Sequence, residues 1–154
     1  MQTRKHSRGF SLIELMVVVG IVAVLAVLAT NSYSSSVRKS RRTEARTALL
    51  DLASREERFM STNSSYTRTL TELGYSAGSL PLTVGNGYYS VDIPVINFTA
   101  ATSNTPARFT ITAAPVAGKG QDKDSACATF SVDSTGLQSS TNSGGASTTA
   151  TCWN

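Results

Sequence analysis

The apolar positions divide the chain into stretches of different periodicity. From Phe10 to Ala29 every position is apolar except Ser11 and Glu14. As a helix rising about 1.5 Å per residue, this run spans about 30 Å, the thickness of a bilayer core. Past Val37 the pattern becomes one-sided. Ala45, Leu49, Leu52 and Phe59 recur at spacings of 4, 3 and 7, and Arg38, Arg41, Arg42, Glu44, Arg46, Glu56 and Glu57 occupy the polar face. No Pro or Gly interrupts residues 21–73. One helix is expected from about Ser11 to about Ser61, roughly 75 Å long. Its first half is hydrophobic on all sides and its second half is amphipathic.

Farther along, the period shortens to two. Tyr88–Ile93 follows the turn signal Asn86-Gly87, and Arg108–Ala113 and Ala128–Asp133 alternate apolar with polar residues. Ser134-Thr135-Gly136 can turn the chain back into a fourth strand at Leu137 and Gln138. Three or four short strands need a covering element, which the amphipathic half of the helix supplies. The expected class is α+β: a long N-terminal helix packed by its second half on a small antiparallel sheet. Residues 62–87 read as a long connection with a short helical possibility near Leu70–Leu73, and residues 139–151 as an exposed low-complexity loop.

Composition changes this picture in one respect. With 154 residues, 40% of them hydrophobic, the chain has room for one ordinary domain. A net charge of +4 raises the question of nucleic acid or an acidic membrane surface. The charge is local, however. Without residues 1–9 the Lys and Arg count falls from 14 to 11 against 10 acidic residues. The rest of the excess lies in Arg38–Arg46, a basic helix face of the kind that phosphate contacts require. Its place beside the apolar run favours a solvated or intersubunit face, so nucleic acid is not expected as a partner.

Catalytic chemistry finds little support. The sole histidine, His6, stands beside the N-terminus, which leaves a Ser-His-Asp or Cys-His arrangement almost no room. Asp122-Lys123-Asp124 reads as a solvated turn, being short of ligands for a calcium loop. No phosphate-binding glycine loop or metal-ligand cluster occurs, so neither enzymatic activity nor a cofactor is expected. In an exported chain, Cys127 and Cys152 read as one disulfide, contributing about 3–4 kcal/mol by loop closure.

The N-terminus is the most informative region. Arg4, Lys5 and Arg8 precede the apolar run, as in a secretory signal peptide. The run is longer than the usual signal core, lacks a clear Ala-x-Ala site before a polar start, and contains Glu14. A carboxylate in a membrane segment costs a few kcal/mol and calls for a partner. It either sits shallow enough to reach the headgroups or pairs with a cation of another chain. Basic residues flank both ends of the run, so charge alone leaves its orientation open.

Gly9-Phe10-Ser11-Leu12-Ile13-Glu14 resembles the class III leader junction of type IV pilins and type II secretion pseudopilins. The resemblance implies a leader of residues 1–9, cut by prepilin peptidase between Gly9 and Phe10, and N-methylation of Phe10. It implies that residues 10–29 are the transmembrane and assembly helix, that residues 30–61 continue it into the head, and that residues 62–154 form the head. It also implies that the Glu14 carboxylate meets the N-terminal amine of a neighbouring subunit. Residues 42–67 and the ending Cys152-Trp153 are similar to PilE-type minor pilins, in which the last cysteine closes a C-terminal disulfide loop. Asn31 stands where major pilins often carry the proline linked to helix melting, and Ala23 stands at their usual glycine position.

The function implied is that of a structural subunit, a minor pilin serving pilus biogenesis, twitching motility and adhesion. The alternatives are a major pilin, a pseudopilin, or a DNA-uptake or adhesive pilin acting through its head. The implied partners are other pilin subunits, prepilin peptidase, the inner-membrane assembly machinery, and membrane lipid before assembly. The implied location is the bacterial inner membrane, with the head in the periplasm, and then the extracellular pilus. In such an assembly Arg38, Arg41, Arg42 and Arg46 are expected to pair with Glu44, Glu56 or Glu57 of neighbouring subunits.

Overall fold

The computed structural model describes residues 9–76, 78–94, 98–100, 102 and 105–153, apart from the side chains of residues 30–32. His6 and the basic leader residues Arg4, Lys5 and Arg8 lie outside the described residues, as does the side chain of Asn31. The long helix is present as α1, Leu12–Asn63. It ends at Ser64, whose φ of 54° lets its N–H bond back to the Met60 carbonyl. The described residues fall into two compact units, one up to Val37 and one from Arg38 onward.

The second unit is the head. Its strands are β1 (Leu82–Val84), β2 (Tyr89–Asp92), β3 (Phe98–Thr99), β4 (Arg108–Pro115), β5 (Thr129–Asp133) and β6 (Gln138–Thr141). All pairings are antiparallel in the order β1-β2-β4-β5-β6, with β3 on the start of β4. Alternation puts Tyr89, Val91, Phe109, Ile111, Ala113, Phe130 and Val132 on one buried face. Ala45, Leu49 and Leu52 of α1 join these residues in the core. Two T-shaped ring pairs, Tyr89–Phe130 and Phe130–Trp153, extend it.

The structure departs from expectation in three places. Among the described residues the sheet has six strands rather than three or four, because the supposed 62–87 connection contains β1 and because β3 adds a two-residue pairing. Residues 139–151 are only partly loop. Residues 139–141 belong to β6, and α2 (Thr149–Cys152) follows the turn. Ser140 is buried, takes part in hydrogen bonds with Thr148 and Thr149, and pairs with Phe130 of β5, so backbone pairing carries a segment with no hydrophobic signal. Finally, Glu56 leaves the expected polar face and is fully buried.

Candidate assembly helix and basic surface

The first unit offers apolar surface. Side chains from Phe10 to Leu28 are exposed, with Phe10 at 82%, Leu12 at 78% and Val24 at 63%. This is the one helix among the described residues with the length and composition to cross a membrane. At its start, Ser11 accepts a hydrogen bond from the Glu14 N–H at 3.2 Å, and the Glu14 carboxylate accepts one from the Ser11 N–H at 3.5 Å. Ser-x-x-Glu is a capping box, which satisfies two orphan donors of the first turn. This local role for Glu14 stands beside the one expected between chains, and the spacing that signals it is present in the sequence.

The arginine cluster is largely turned onto its own head. Arg42 grips Asp124 with two hydrogen bonds of 2.7 Å, and the two side chains are 16% and 5% exposed. Arg46 donates to the Trp153 carbonyl at 2.7 Å and to Thr43 Oγ1 at 3.2 Å. The Arg41 guanidinium lies 3.5 Å from the centroid of the Tyr88 ring. The carboxylates expected to reach other subunits are also engaged within the chain. Glu44 accepts from the N–H and side-chain amide of Asn86, and Glu57 accepts from the Tyr66 hydroxyl at 2.9 Å. Gly85 permits the Glu44 clasp: its φ is +60°, and a Cβ there would collide with the Glu44 carboxylate. The planar guanidinium fork suits the Asp124 carboxylate, and its flat face suits the Tyr88 ring.

Asp122-Lys123-Asp124 is therefore more than a solvated turn. It includes a 3-10 turn, Gln121–Lys123, behind which Gln121 is fully buried. The Gln121 amide donates to the Tyr89 hydroxyl at 2.9 Å, to Asp124 at 3.1 Å and to the Arg38 carbonyl at 3.4 Å. Burial, opposed by the bond from Gln121, pushes the Tyr89 phenol up to about 12. These contacts fix loop 116–124 against Arg38–Arg42, and a Cβ on Gly120 would lie 4.0 Å from the Arg41 guanidinium. The result is a basic surface that the sequence did not reveal. Exposed Lys119 and Lys123 lie on the loop that packs on half-buried Arg38 and Arg41, and exposed Lys39 follows Arg38 on α1. Of the nearby carboxylates, Asp124 is held by Arg42, while exposed Asp122 accepts from the Gly118 N–H. Among the described residues, no group of three or more His, Cys, Asp or Glu side chains could hold a metal.

Two further features hold the head together. Cys127 and Cys152 form a disulfide with Cα atoms 5.9 Å apart, tying α2 to the start of β5. Glu56 accepts the Thr67 N–H at 3.1 Å, while its other oxygen has no partner. Burial raises the Glu56 carboxyl to about 7; the Thr67 bond opposes this and the charges of Glu57 and Glu72 add to it.

The comparisons with known proteins match two successive stretches of the chain. The prokaryotic N-terminal methylation motif matches residues 4–30. The family described as "Type IV minor pilin ComP, DNA uptake sequence receptor" matches residues 31–131, about two thirds of the chain. The chain belongs to the ComP family of type IV minor pilins. No individual curated protein matches it. The ComP-family match runs through α1 and the sheet as far as β5, so it rests on the head and not on the apolar segment alone. The long helix on a small antiparallel sheet is the type IV pilin fold. This minor pilin assembles with other pilins into a pilus, and its apolar helix and methylation motif fit a membrane-anchored precursor.

Proposed function

We propose that this pilin carries a DNA-binding head into the pilus. In this reading the precursor is cut between Gly9 and Phe10 and Phe10 is methylated. The helix from Leu12 to Ala29 passes from lipid into contact with the corresponding helices of other subunits, driven by burial of its exposed side chains. Glu14 sets the register, since a misaligned neighbour leaves its carboxylate without a cation. Before assembly the subunit is stored in the inner membrane with its head in the periplasm. It acts without catalysis or cofactor.

The case for DNA rests on the basic surface that loop 116–124 completes. The sequence alone placed the cations on the leader and one membrane-proximal stretch of helix, Arg38–Arg46, and set nucleic acid aside. The family's description as a DNA uptake sequence receptor removes that ground, and the folded head spreads the charge over two elements. Lys39, Lys119, Lys123 and Arg38 can each meet a phosphate, and Arg41 on the Tyr88 ring offers a planar cation held in place. Phosphate contacts release counterions, so binding must weaken with salt.

The test uses the full chain in neutral detergent with a fluorescently labelled DNA duplex, read by anisotropy across a salt series. The double variant Lys119→Ala, Lys123→Ala is expected to bind several-fold more weakly. Its log–log salt slope should be shallower by about 2, roughly one unit for each phosphate that is no longer neutralised. Unchanged affinity and slope overturn the assignment of DNA to this surface.

A further inference from the structure

We propose that the same basic face binds anionic phospholipid headgroups while the subunit is anchored in the membrane. This inference rests on the membrane-anchored precursor and is independent of whether the head binds DNA. Ala29, the end of the apolar run, and Arg38, the first cation of the face, are nine residues apart, so the chain between them spans at most about 30 Å in any conformation. The face is thus tethered beside a bilayer surface for as long as the apolar helix stays in lipid.

A juxtamembrane cluster of Lys and Arg is the feature that negatively charged leaflets attract, and the attraction fades within a Debye length. The groups available here have suitable chemistry. Lys39, Lys119 and Lys123 are exposed ammonium groups on flexible stems, able to follow mobile headgroup phosphates. Arg41 lies over the half-buried Tyr88 ring, which holds its guanidinium in place. Of the carboxylates around the loop, buried Asp124 is neutralised by Arg42. Exposed Asp122 is the remaining acidic group on the loop. Farther along the chain there is no such bias, since from Phe59 onward four basic residues face five acidic ones. Five of the cations, Arg38, Lys39, Arg41, Arg42 and Arg46, follow the apolar run directly in the chain. Bound to headgroups, the cations of the face are screened from other polyanions until the helix leaves the bilayer.

Lys39, Lys119 and Lys123 are the lysines of the chain outside the leader, so amine chemistry reads this face selectively. The full chain is reconstituted into vesicles of phosphatidylcholine alone or with about one third phosphatidylglycerol. Outward-facing heads are then labelled with a membrane-impermeant amine reagent and the lysines quantified by mass spectrometry. The expected result is labelling of Lys119 and Lys123 at least about threefold slower in the anionic vesicles. The difference should vanish near 1 M salt, where the Debye length is about 3 Å. Equal rates in the two vesicle types overturn the proposal. So does protection that survives high salt, which would mean steric burial instead of headgroup binding. Anisotropy in detergent is the separate readout for DNA. Loss of protection with DNA binding intact removes only the lipid proposal, and the converse removes only the DNA reading.

Discussion

The two halves of α1 share one backbone but have opposite surroundings. Between Phe10 and Leu28 the large apolar side chains are exposed. Between Ala45 and Glu56 the inward stripe is buried to within about 1%, and the charged residues around it are tied to the head by Arg42–Asp124, Arg46–Trp153 and Glu44–Asn86. The second half has found its partners within the chain, and the first half has to find them in lipid or in other subunits. One helical backbone therefore carries an amphipathic half that stabilises the head and an all-apolar half that the chain itself leaves uncovered.

The largest expected contrast follows from that division. Leu49→Ala removes a fully buried side chain and should cost the head about 3 kcal/mol. Leu25→Ala removes an exposed one and should leave the thermal transition of the head unchanged. Calorimetry of the full chain in detergent compares them, and a similar loss from Leu25→Ala would mean that the apolar half also supports the head.

Cations divide in the same way. Arg42→Ala leaves Asp124 buried without its partner and should cost about 3 kcal/mol. Lys39→Ala, on the exposed face, should stay within about 0.5 kcal/mol in the same measurement. Equal effects would erase the distinction between cations that hold the head and cations left available for ligands.

A smaller effect depends on pH. The Glu56 carboxyl, raised from its ordinary 4.5 to about 7, holds its proton more tightly in the folded head than in the unfolded chain. Stability from this group is complete below about pH 4.5 and is lost as the pH rises through about 7. Raising the pH from about 5 to about 8 should cost about 1–2 kcal/mol. Glu56→Gln, which cannot ionise, should remove most of that slope in thermal melts. Asp51 and Asp133 act in a different window. Burial raises each carboxyl, but hydrogen bonds from Arg55 and Tyr75 to Asp51, and from Thr135 and Leu137 to Asp133, outweigh it. Their contribution is lost only as the pH falls through their lowered folded values.

What could be read in advance was what periodicity encodes. The stripe Ala45, Leu49, Leu52 and the alternation of β2, β4 and β5 follow directly from the side-chain repeats of helix and strand. β1 and β3 escaped notice because three and two paired residues carry no pattern. β6 escaped in part because its Ser-rich segment is held by backbone pairing. Glu56 could have been recognised, since it continues the buried stripe four residues after Leu52. The basic surface could not, because Gln121 reaches the Arg38 carbonyl across 83 residues of sequence. Only the folded chain shows which arginines turn inward and which lysines join those left outside.

The most direct test is quantitative mass spectrometry of pili sheared from cells that express the chain. The account predicts its recovery in the pilus fraction as a minority component, with an N-terminal peptide beginning at Phe10. A chain retained in the membrane fraction with residues 1–9 still attached would contradict it.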